Sequence, residues 1–157
     1  MRCNLLDPSL LTDQHLIAEK RELRMIPPLL RVKLKKGGIN KVLKEIPRFY
    51  LLGTGHMNWC LDKGYYLERR YHALEKEMKV RGFKPDPSLI FDVTEFLEHK
   101  TDLYLDFIPS QEDINIIKQR IIEKIMLKPH WYKFYRKELD LNWVEETYGI
   151  TNTQLSQ

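Results

Sequence analysis

The sequence lacks the features that mark metal-binding, disulfide-rich and membrane-spanning proteins. Its two cysteines, Cys3 and Cys60, are far apart, so they form neither a zinc-ligand pattern nor a disulfide framework, and a reducing compartment is the simpler setting. No apolar run approaches the roughly 20 residues needed to span a bilayer. Arg2 is not followed by a continuous apolar segment or a small-residue cleavage site, so we expect no signal peptide. These absences predict a soluble, cytoplasmic protein.

Internal repeats, low-complexity segments and a strong charge imbalance are missing as well. The 157 residues contain 26 Lys and Arg against 22 Asp and Glu, which leaves a net charge of +4. Such a small excess indicates a nucleic-acid partner only if the basic residues cluster. The chain is 43% hydrophobic and 11% aromatic, a composition that favours a folded globule. Its length fits one domain.

Helical periodicity dominates the chain, and no convincing series of alternating strands interrupts it. A first helix should follow an N-cap at Thr12 or Asp13. It should end or bend at Pro27 and Pro28, because each proline removes a backbone donor. A basic helix over 31–38 then stops at the glycine pair that closes this stretch.

Two further long helices and one short helix are predicted. The first long helix runs from about residue 56 to residue 81, with Gly82 as its stop. The second follows the capping-box pattern that begins at Ser110 and ends at Asp113. A short helix lies within 91–98. The residues at helical spacing are Met57, Cys60, Leu61, Leu67, Tyr71, Leu74 and Met78 in the first long helix, and Ile114, Ile117, Ile121 and Ile125 in the second.

The whole pattern predicts an all-α fold. We expect a compact single domain of three main helices, followed by an irregular aromatic segment, HWYKFYRK, at 130–137. The helical domain covers residues 1–137. Residues 138–157 form a C-terminal extension of unknown role, and we expect its Trp143 and Tyr148 to pack back on the body.

The first predicted helix carries a polar edge within TDQHLIAEKREL. His15, Glu19 and Glu22 lie along one line of a helix, and Gln14 and Arg21 form the adjoining line. On a solvated face these groups would only form helix-stabilising ion pairs. The first three would also suit a metal ion, although no second group of ligands accompanies them. As catalytic groups they would need a nucleophile close by.

The N-terminal α-amine is the strongest candidate nucleophile. Its reference pKa is about 8, against about 10.4 for a lysine, so a sizeable fraction is the free base at neutral pH. Nearby arginines lower the pKa of such an amine further, because positive charge disfavours the protonated form. A primary amine can attack carbon and form a Schiff base. The large Arg2 disfavours removal of Met1, so the candidate nucleophile is the α-amine of Met1. Within the first helix, the side chain of Lys20 is the only other candidate nucleophile.

Six segments occur in an order typical of one enzyme family. They are DQHLIAEKREL (13–23), LGTGHMNWCLDKGYYLERR (52–70), RGF (81–83), DFIP (106–109), EKI (123–125) and KPHWYKFYRK (128–137). Together they span most of the chain to about Lys137, and the first and last are quite specific in a chain of this length. In these segments the sequence resembles the pyrimidine-dimer DNA glycosylases with AP lyase activity, of the phage endonuclease V type.

The resemblance implies an all-α protein that acts without a metal or other cofactor. Its partner would be double-stranded DNA containing pyrimidine dimers or abasic sites, bound by a monomer associated with nucleoid or viral DNA. The family's catalytic glutamate corresponds to Glu22. Its nucleophile is the α-amine of a threonine, whose position Met1 occupies here, and Arg2 matches the arginine that follows. The implied reaction is excision of the 5′ base of a cyclobutane dimer, followed by β-elimination through an imine on that amine.

The resemblance also assigns DNA contacts. Gln14, His15 and Arg21 match substrate-contacting residues of the family, and Arg2 would hold phosphate near the amine. A further family arginine falls on Met25, with Arg24 beside it. Basic and aromatic residues that suit phosphate neutralisation and base stacking follow in the third helix and the aromatic segment. They are Arg120, Lys124, Lys128, Trp131, Tyr132, Lys133, Phe134, Tyr135, Arg136 and Lys137.

Three alternatives stay open at this point. Aromatic residues after a helix commonly serve packing, so we expect at least two of the four rings in WYKFY to be buried. The protein is alternatively a lyase or glycosylase for abasic sites and other damaged bases, for which Met25 in place of an arginine is a suitable change. The remaining alternative is a non-catalytic DNA-binding module of the same fold.

Overall fold

The structure, a computed structural model, describes residues 3–149, so the predictions for Met1 and Arg2 lie outside the described residues. The helices are α1 (Asp13–Leu23), α2 (Ile26–Glu45), α3 (His56–Trp59), α4 (Gly64–Val80), α5 (Thr94–Glu98), α6 (Lys100–Leu103), α7 (Gln111–Leu127) and α8 (Leu141–Tyr148). Two strands, β1 (Lys133–Phe134) and β2 (Lys137–Glu138), form one antiparallel pair. The predicted all-α class is confirmed.

The described residues divide into two compact units. The large unit comprises Cys3 and Ile17–Ile108, and the small unit comprises residues 4–16 and 109–149. Helix α1 contributes its residues up to Leu16 to the small unit and the others to the large unit.

Helix α2 begins at the two prolines that were expected only to end a helix. Pro27 and Pro28 occupy its first turn, directly after Ile26. A proline is tolerated there because the first backbone N–H groups of a helix have no intrahelical acceptor. Four helices in residues 3–149 therefore exceed ten residues, and the prediction of three main helices was wrong.

The expected stop at the glycine pair is confirmed as a break inside α2. Gly38 has φ 73° and ψ 178°, outside the helical region, and the helix resumes after it to end at Glu45. A positive φ costs glycine little, because it has no Cβ. The break is therefore a local consequence of the sequence.

The long helix predicted over 56–81 is in fact interrupted. Helix α3 ends at Trp59, a 3₁₀ turn covers Cys60–Asp62, and α4 starts only at Gly64. A Cβ on Gly64 would lie 2.5 Å from Phe96 Cδ1. The apolar periodicity continues through the interruption, which is why the sequence indicated a single helix. The interruption brings the backbone of Gly64 against the ring of Phe96.

Gly64→Ala should lower the free energy of unfolding by about 1–3 kcal/mol, as expected for overpacking a core. The added methyl group must displace the Phe96 ring, which is fully buried. Urea denaturation measures the effect. In a protein that already carries Phe96→Leu, the smaller side chain leaves room for the added methyl group. Gly64→Ala should therefore lower the free energy of unfolding by less in that background. Additive losses in the two variants would argue against a clash between these residues.

Helix α7 follows its predicted start and stripe. Ser110 Oγ accepts from Asp113 N (3.1 Å), and Asp113 Oδ2 accepts from Ser110 N (2.9 Å), so the capping box is confirmed. Ile117, Ile121 and Ile125 are fully buried. The sequence alone therefore placed both the start and the buried face of this helix.

The C-terminal aromatic segment is a β-hairpin, and the prediction of an irregular segment was wrong. Lys133 pairs with Glu138, and Phe134 pairs with Lys137. Tyr135 and Arg136 form the two-residue turn with φ values of 48° and 64°. Such a turn requires two positive φ angles, for which glycine and asparagine are the usual residues. The dipeptide Tyr-Arg provides no such signal, so the sequence did not predict the hairpin.

The expected packing of the C-terminal extension is confirmed within the small unit. Trp143 stacks on Phe134 with ring centroids 4.0 Å apart, and Tyr148 Oη donates to the backbone oxygen of Leu10 (2.5 Å). Both aromatic residues belong to α8, which Asp140 caps by accepting from Asn142 N. Among residues 3–149, no helix combines the length and apolarity that crossing a bilayer requires.

Candidate active site and nucleic-acid interface

The backbone of Cys3 is held firmly in the large unit. Its N–H donates to His56 Nε2 (2.7 Å), and its carbonyl oxygen accepts from Tyr50 Oη (2.8 Å). Because His56 accepts at Nε2, its Nδ1 carries the proton and donates to the Leu51 oxygen (2.7 Å). Cys3 is fully buried. A point two residues from Met1 is thus anchored by side chains of the large unit.

The GTGH motif has a structural role that the sequence only partly indicated. Gly53 and Gly55 have positive φ angles, and His56 N donates to the Gly53 oxygen (3.1 Å), so the motif forms a tight turn. This turn starts α3 and places His56, buried, against the backbone of Cys3. His56 and Tyr50 were not among the predicted site residues. The GTGH motif was the one sequence feature that could have drawn attention to His56. No sequence feature pointed to Tyr50.

A buried ion pair joins α1 to α4 within the large unit. Arg70 donates to Glu19 through Nε (2.7 Å) and Nη2 (3.0 Å), and the two side chains are 6% and 0% exposed. Burial opposes the charge on Arg70, but the Glu19 carboxylate outweighs it and raises the pKa of Arg70. Burial raises the pKa of the Cys60 thiol and of Tyr66, and Cys3 raises both further. Cys3 and Glu19 are thus both buried, and both raise the pKa of Cys60 and of Tyr66.

The ion pair also bears on the metal interpretation of the polar edge. Glu19 is engaged by Arg70, and among residues 3–149 no three His, Cys, Asp or Glu side chains gather as a metal-binding group. Lys20 is likewise engaged, since its Nζ donates to Tyr71 Oη (3.0 Å) and lies 3.3 Å from Glu75 Oε2. The side-chain amine of α1 is therefore held in a buried position.

Arg70→Met should lower the free energy of unfolding by about 3–5 kcal/mol, because it leaves the buried Glu19 carboxylate without its cation. Arg69→Met is the matched control one residue away. Arg69 pairs with Asp106 on the surface, where such pairs contribute about 0–1 kcal/mol. Denaturant unfolding of both variants measures the difference. Equal losses in the two variants would contradict the importance of burial at Arg70.

Glu22 and its neighbours form the accessible end of α1. The Glu22 side chain is 27% exposed, and its Oε1 lies 3.7 Å from Nη2 of Arg21, whose side chain is 68% exposed. Arg24 is half-buried and Met25 is 51% exposed. Hydrogen bonds from Ser88 lower the pKa of Asp86, and the charges of Lys20 and Arg24 lower it further.

The predicted contact residues of the small unit meet in one place. Gln14 Nε2 donates to the Trp131 oxygen (2.8 Å), and Gln14 Oε1 accepts from Lys133 N (2.8 Å). His15 stacks on Tyr132 with an interplanar angle of 8° and centroids 4.9 Å apart. Thr12 Oγ1 accepts from His15 N (3.2 Å), so Thr12 is the N-cap of α1. The hydroxyl of Thr12 also lies 2.7 Å from His15 Nδ1.

A pocket of about 190 Å³ opens beside the hairpin. Trp131 on its wall is 57% exposed and Leu127 is 73% exposed. Arg120, one helical turn before Lys124, pairs with Glu123 (3.5 Å). The pocket therefore combines apolar area with ammonium groups, as a stacking surface for nucleic acid requires. Its lining residues are Lys124, Leu127, Lys128, Trp131 and Tyr132.

The expectation that at least two rings of WYKFY would be buried was wrong. Tyr132 is buried and Phe134 is half-buried, whereas Trp131 and Tyr135 are exposed. Tyr135 occupies the hairpin turn, and Trp131 lines the open pocket. Trp131 and Tyr135 therefore expose part of their ring surfaces.

A family model described as pyrimidine dimer DNA glycosylase matches residues 1–91. The matched part includes Glu22 and the anchor residues Tyr50 and His56. It ends before α7 and the hairpin.

Proposed function

This chain belongs to the family of pyrimidine dimer DNA glycosylases, and we propose that it excises the 5′ base of a cyclobutane pyrimidine dimer in duplex DNA and then cleaves the strand. A DNA substrate follows from the family. The reaction needs no metal or other cofactor, and the protein acts as a monomer. A dimer weakens base stacking, so extruding a nucleotide costs less there than in intact DNA.

The proposed nucleophile is the unprotonated α-amine of Met1. Its nitrogen bonds to C1′ of the 5′ nucleotide, while the C1′–N1 bond breaks and its electron pair leaves with the base. Opening of the sugar ring yields an imine at C1′. Removal of a C2′ proton then expels the 3′ phosphate by β-elimination. The amine must be free and unmodified, which intact mass establishes.

The anchoring of Cys3 carries the proposal. Two residues of extended chain span about 7 Å at most, so the hydrogen bonds to His56 and Tyr50 confine the reach of the Met1 amine. Cys3 and Glu19 are both buried, and both raise the pKa of the buried Cys60 thiol. Glu22 follows Glu19 on the next turn of α1, about 5–6 Å away between Cβ atoms. These facts favour a short separation between the amine and the Glu22 carboxylate.

Glu22 suits the two remaining tasks of the reaction. An ionised carboxylate stabilises the positive charge that develops on the sugar, and it can accept the C2′ proton. The side chain is partly accessible, and it lies beside Arg21 rather than in a fully buried pair. Arg2 and Arg21 then hold phosphates close to the reacting sugar.

The small unit supplies the proposed DNA-binding surface. Exposed Trp131 offers a ring for stacking, and basic groups around the pocket neutralise phosphates. His15 contributes to DNA binding indirectly, because its ring stacks on Tyr132, which is a proposed DNA contact. The proposed contacts are Arg120, Lys124, Trp131, Tyr132 and Lys133, with Arg24 at the end of α1.

Borohydride trapping on defined DNA tests the proposal. The protein is incubated with duplexes that carry a single dimer, a single abasic site or no lesion, with and without borohydride. We expect a covalent complex and a cleaved strand on the first two duplexes only. Cleavage of the dimer duplex without any trapped complex would contradict the imine, and the absence of cleavage on both lesions would reject the enzyme activity.

A second candidate function is cleavage of abasic sites without a preference for dimers. Met25, exposed, stands where the family has an arginine, so a phosphate contact is lost there. Rates on the dimer and abasic duplexes, measured side by side, decide between the candidates. A rate on abasic DNA at least a hundredfold above that on dimer DNA would favour the second.

A further inference from the structure

We infer that Gln14 and Trp143 are positioning residues that hold the hairpin so that Trp131 can stack on DNA, and that Gln14 acts on DNA through Trp131 rather than by direct contact. The inference rests on the proposed function, because it takes DNA as the ligand. It gives the C-terminal helix α8 a role within the same site.

The carboxamide of Gln14 substitutes for a neighbouring β-strand. It donates to the oxygen of Trp131 and accepts from the N–H of Lys133, both at 2.8 Å. These two backbone groups flank Tyr132 and point to the same side of the chain, as in a strand pair. Each polar atom of the Gln14 side chain therefore already serves the hairpin.

The residues on either side of Gln14 hold the same segment. Asp13 Oδ2 accepts from Arg136 N (2.8 Å), and the ring of His15 lies parallel to that of Tyr132. Three consecutive residues of α1 thus contact three parts of the hairpin. The first turn of α1 therefore holds the aromatic segment through hydrogen bonds and ring stacking.

Helix α8 supports the hairpin as well. Trp143 stacks on Phe134, with centroids 4.0 Å apart and an interplanar angle of 30°. The end of α8 is tied by the hydrogen bond from Tyr148 Oη to Leu10. Trp143 and Tyr148 both lie outside the part of the chain that matches the family.

The hairpin needs such support. Its strands have two residues each, and a short isolated hairpin is marginally stable in water. Tyr135 and Arg136 add positive φ angles, which are unfavourable for residues other than glycine because of the Cβ atom. A segment of this kind keeps one conformation only if other elements impose it. The conformation that results leaves the ring of Trp131 exposed at the pocket.

Preorganisation is the functional consequence. An aromatic ring that is already oriented loses less conformational entropy when it binds. Stacking of a base on such a ring contributes about 1–3 kcal/mol, or roughly 5- to 150-fold in affinity. Loss of Gln14 or of Trp143 should therefore reduce affinity by releasing Trp131.

A double-mutant cycle tests the inference. Affinity for a duplex with one tetrahydrofuran residue, an uncleavable abasic analogue, is measured by fluorescence anisotropy for Gln14→Ala, Trp131→Ala and the double variant. We expect Trp131→Ala to weaken binding about tenfold and Gln14→Ala about three- to tenfold. The double variant should bind no more than about twofold more weakly than Trp131→Ala. Losses that multiply would show that Gln14 contacts DNA directly and would overturn the inference.

Rates and conservative variants distinguish positioning from general structural damage. At saturating abasic DNA, the single-turnover cleavage rate of Gln14→Ala should stay within about twofold of wild type. Trp143→Ala should weaken binding, and Trp143→Phe should restore it, since a ring can still stack on Phe134. Gln111→Ala, at an exposed glutamine bonded to Asn115, is the control and should bind as wild type. A Gln14→Ala rate that falls as far as its affinity, or no rescue by phenylalanine, would overturn the inference.

The failure of the proposed function would have a different result. If borohydride traps no covalent complex but the double-mutant cycle gives the expected affinities, the proposed reaction is rejected and the positioning role stays supported. A wild-type protein that does not bind the duplex overturns both.

Discussion

Glu22→Gln should lower the rate of strand cleavage by about 10²–10⁴, the range in which general acid–base groups contribute. The amide has the same shape as the carboxylate but carries no charge and cannot accept the C2′ proton. Single-turnover kinetics on abasic and dimer duplexes measure the loss. DNA affinity should change less than about threefold, because the substitution removes a negative charge and no phosphate contact.

The contact between Glu22 and Arg21 contributes little to stability. The carboxylate is 27% exposed and lies 3.7 Å from a largely exposed Arg21, and surface pairs of this kind contribute about 0–1 kcal/mol. Loss of the Arg21 contact should therefore lower the unfolding temperature little, and thermal unfolding of the variant checks that the protein stays folded. Glu98→Gln, at an exposed glutamate of α5, is the matched control and should cleave normally. A cleavage rate within twofold of wild type in Glu22→Gln would remove Glu22 from the mechanism.

Blocking the N-terminal amine should abolish borohydride trapping altogether. Acetylation turns the amine into an amide, whose nitrogen does not form an imine. An extension by two residues keeps a primary amine but moves it by up to about 7 Å from the position of the Met1 nitrogen. Both forms should lose trapping and strand cleavage, while their affinity for tetrahydrofuran DNA stays near that of the unblocked protein. The measurement is the trapped complex on a denaturing gel, with intact mass confirming each N-terminus.

Lys20→Arg is the control for the alternative amine. Arginine keeps the positive charge beside Glu75 but cannot form a Schiff base. Because Lys20 is buried and bonded to Tyr71 and Glu75, we expect this variant to trap as wild type. Trapping that survives acetylation and disappears in Lys20→Arg would reassign the nucleophile to Lys20.

Buried hydrogen bonds hold the large unit together around Cys3 and between α1 and α4. Arg70 and Glu19 join α4 to α1, and His56 and Tyr50 hold Cys3. None of these four side chains needs to touch substrate in the proposed mechanism. They confine the backbone near the proposed nucleophile, and Arg70→Met should therefore affect stability first.

The sequence by itself determined the features that depend on neighbours a few residues apart. The capping box of Ser110 and Asp113, the buried isoleucine stripe of α7 and the break at Gly38 follow from local hydrogen bonds, helical periodicity and allowed φ angles. Recognition of the family rested on short motifs, and the match over residues 1–91 confirmed it.

Only the tertiary structure decided the features that depend on distant residues. Glu19 and Arg70 are 51 positions apart, and Gln14 and Lys133 are 119 apart, so neither contact leaves a periodic signal in the sequence. Tyr135 and Arg136 adopt positive φ angles against their local preference, in a hairpin that Gln14, Asp13 and Trp143 contact. Long-range contacts of this kind outweigh local propensities only after the chain entropy of bringing the segments together has been offset by the rest of the fold.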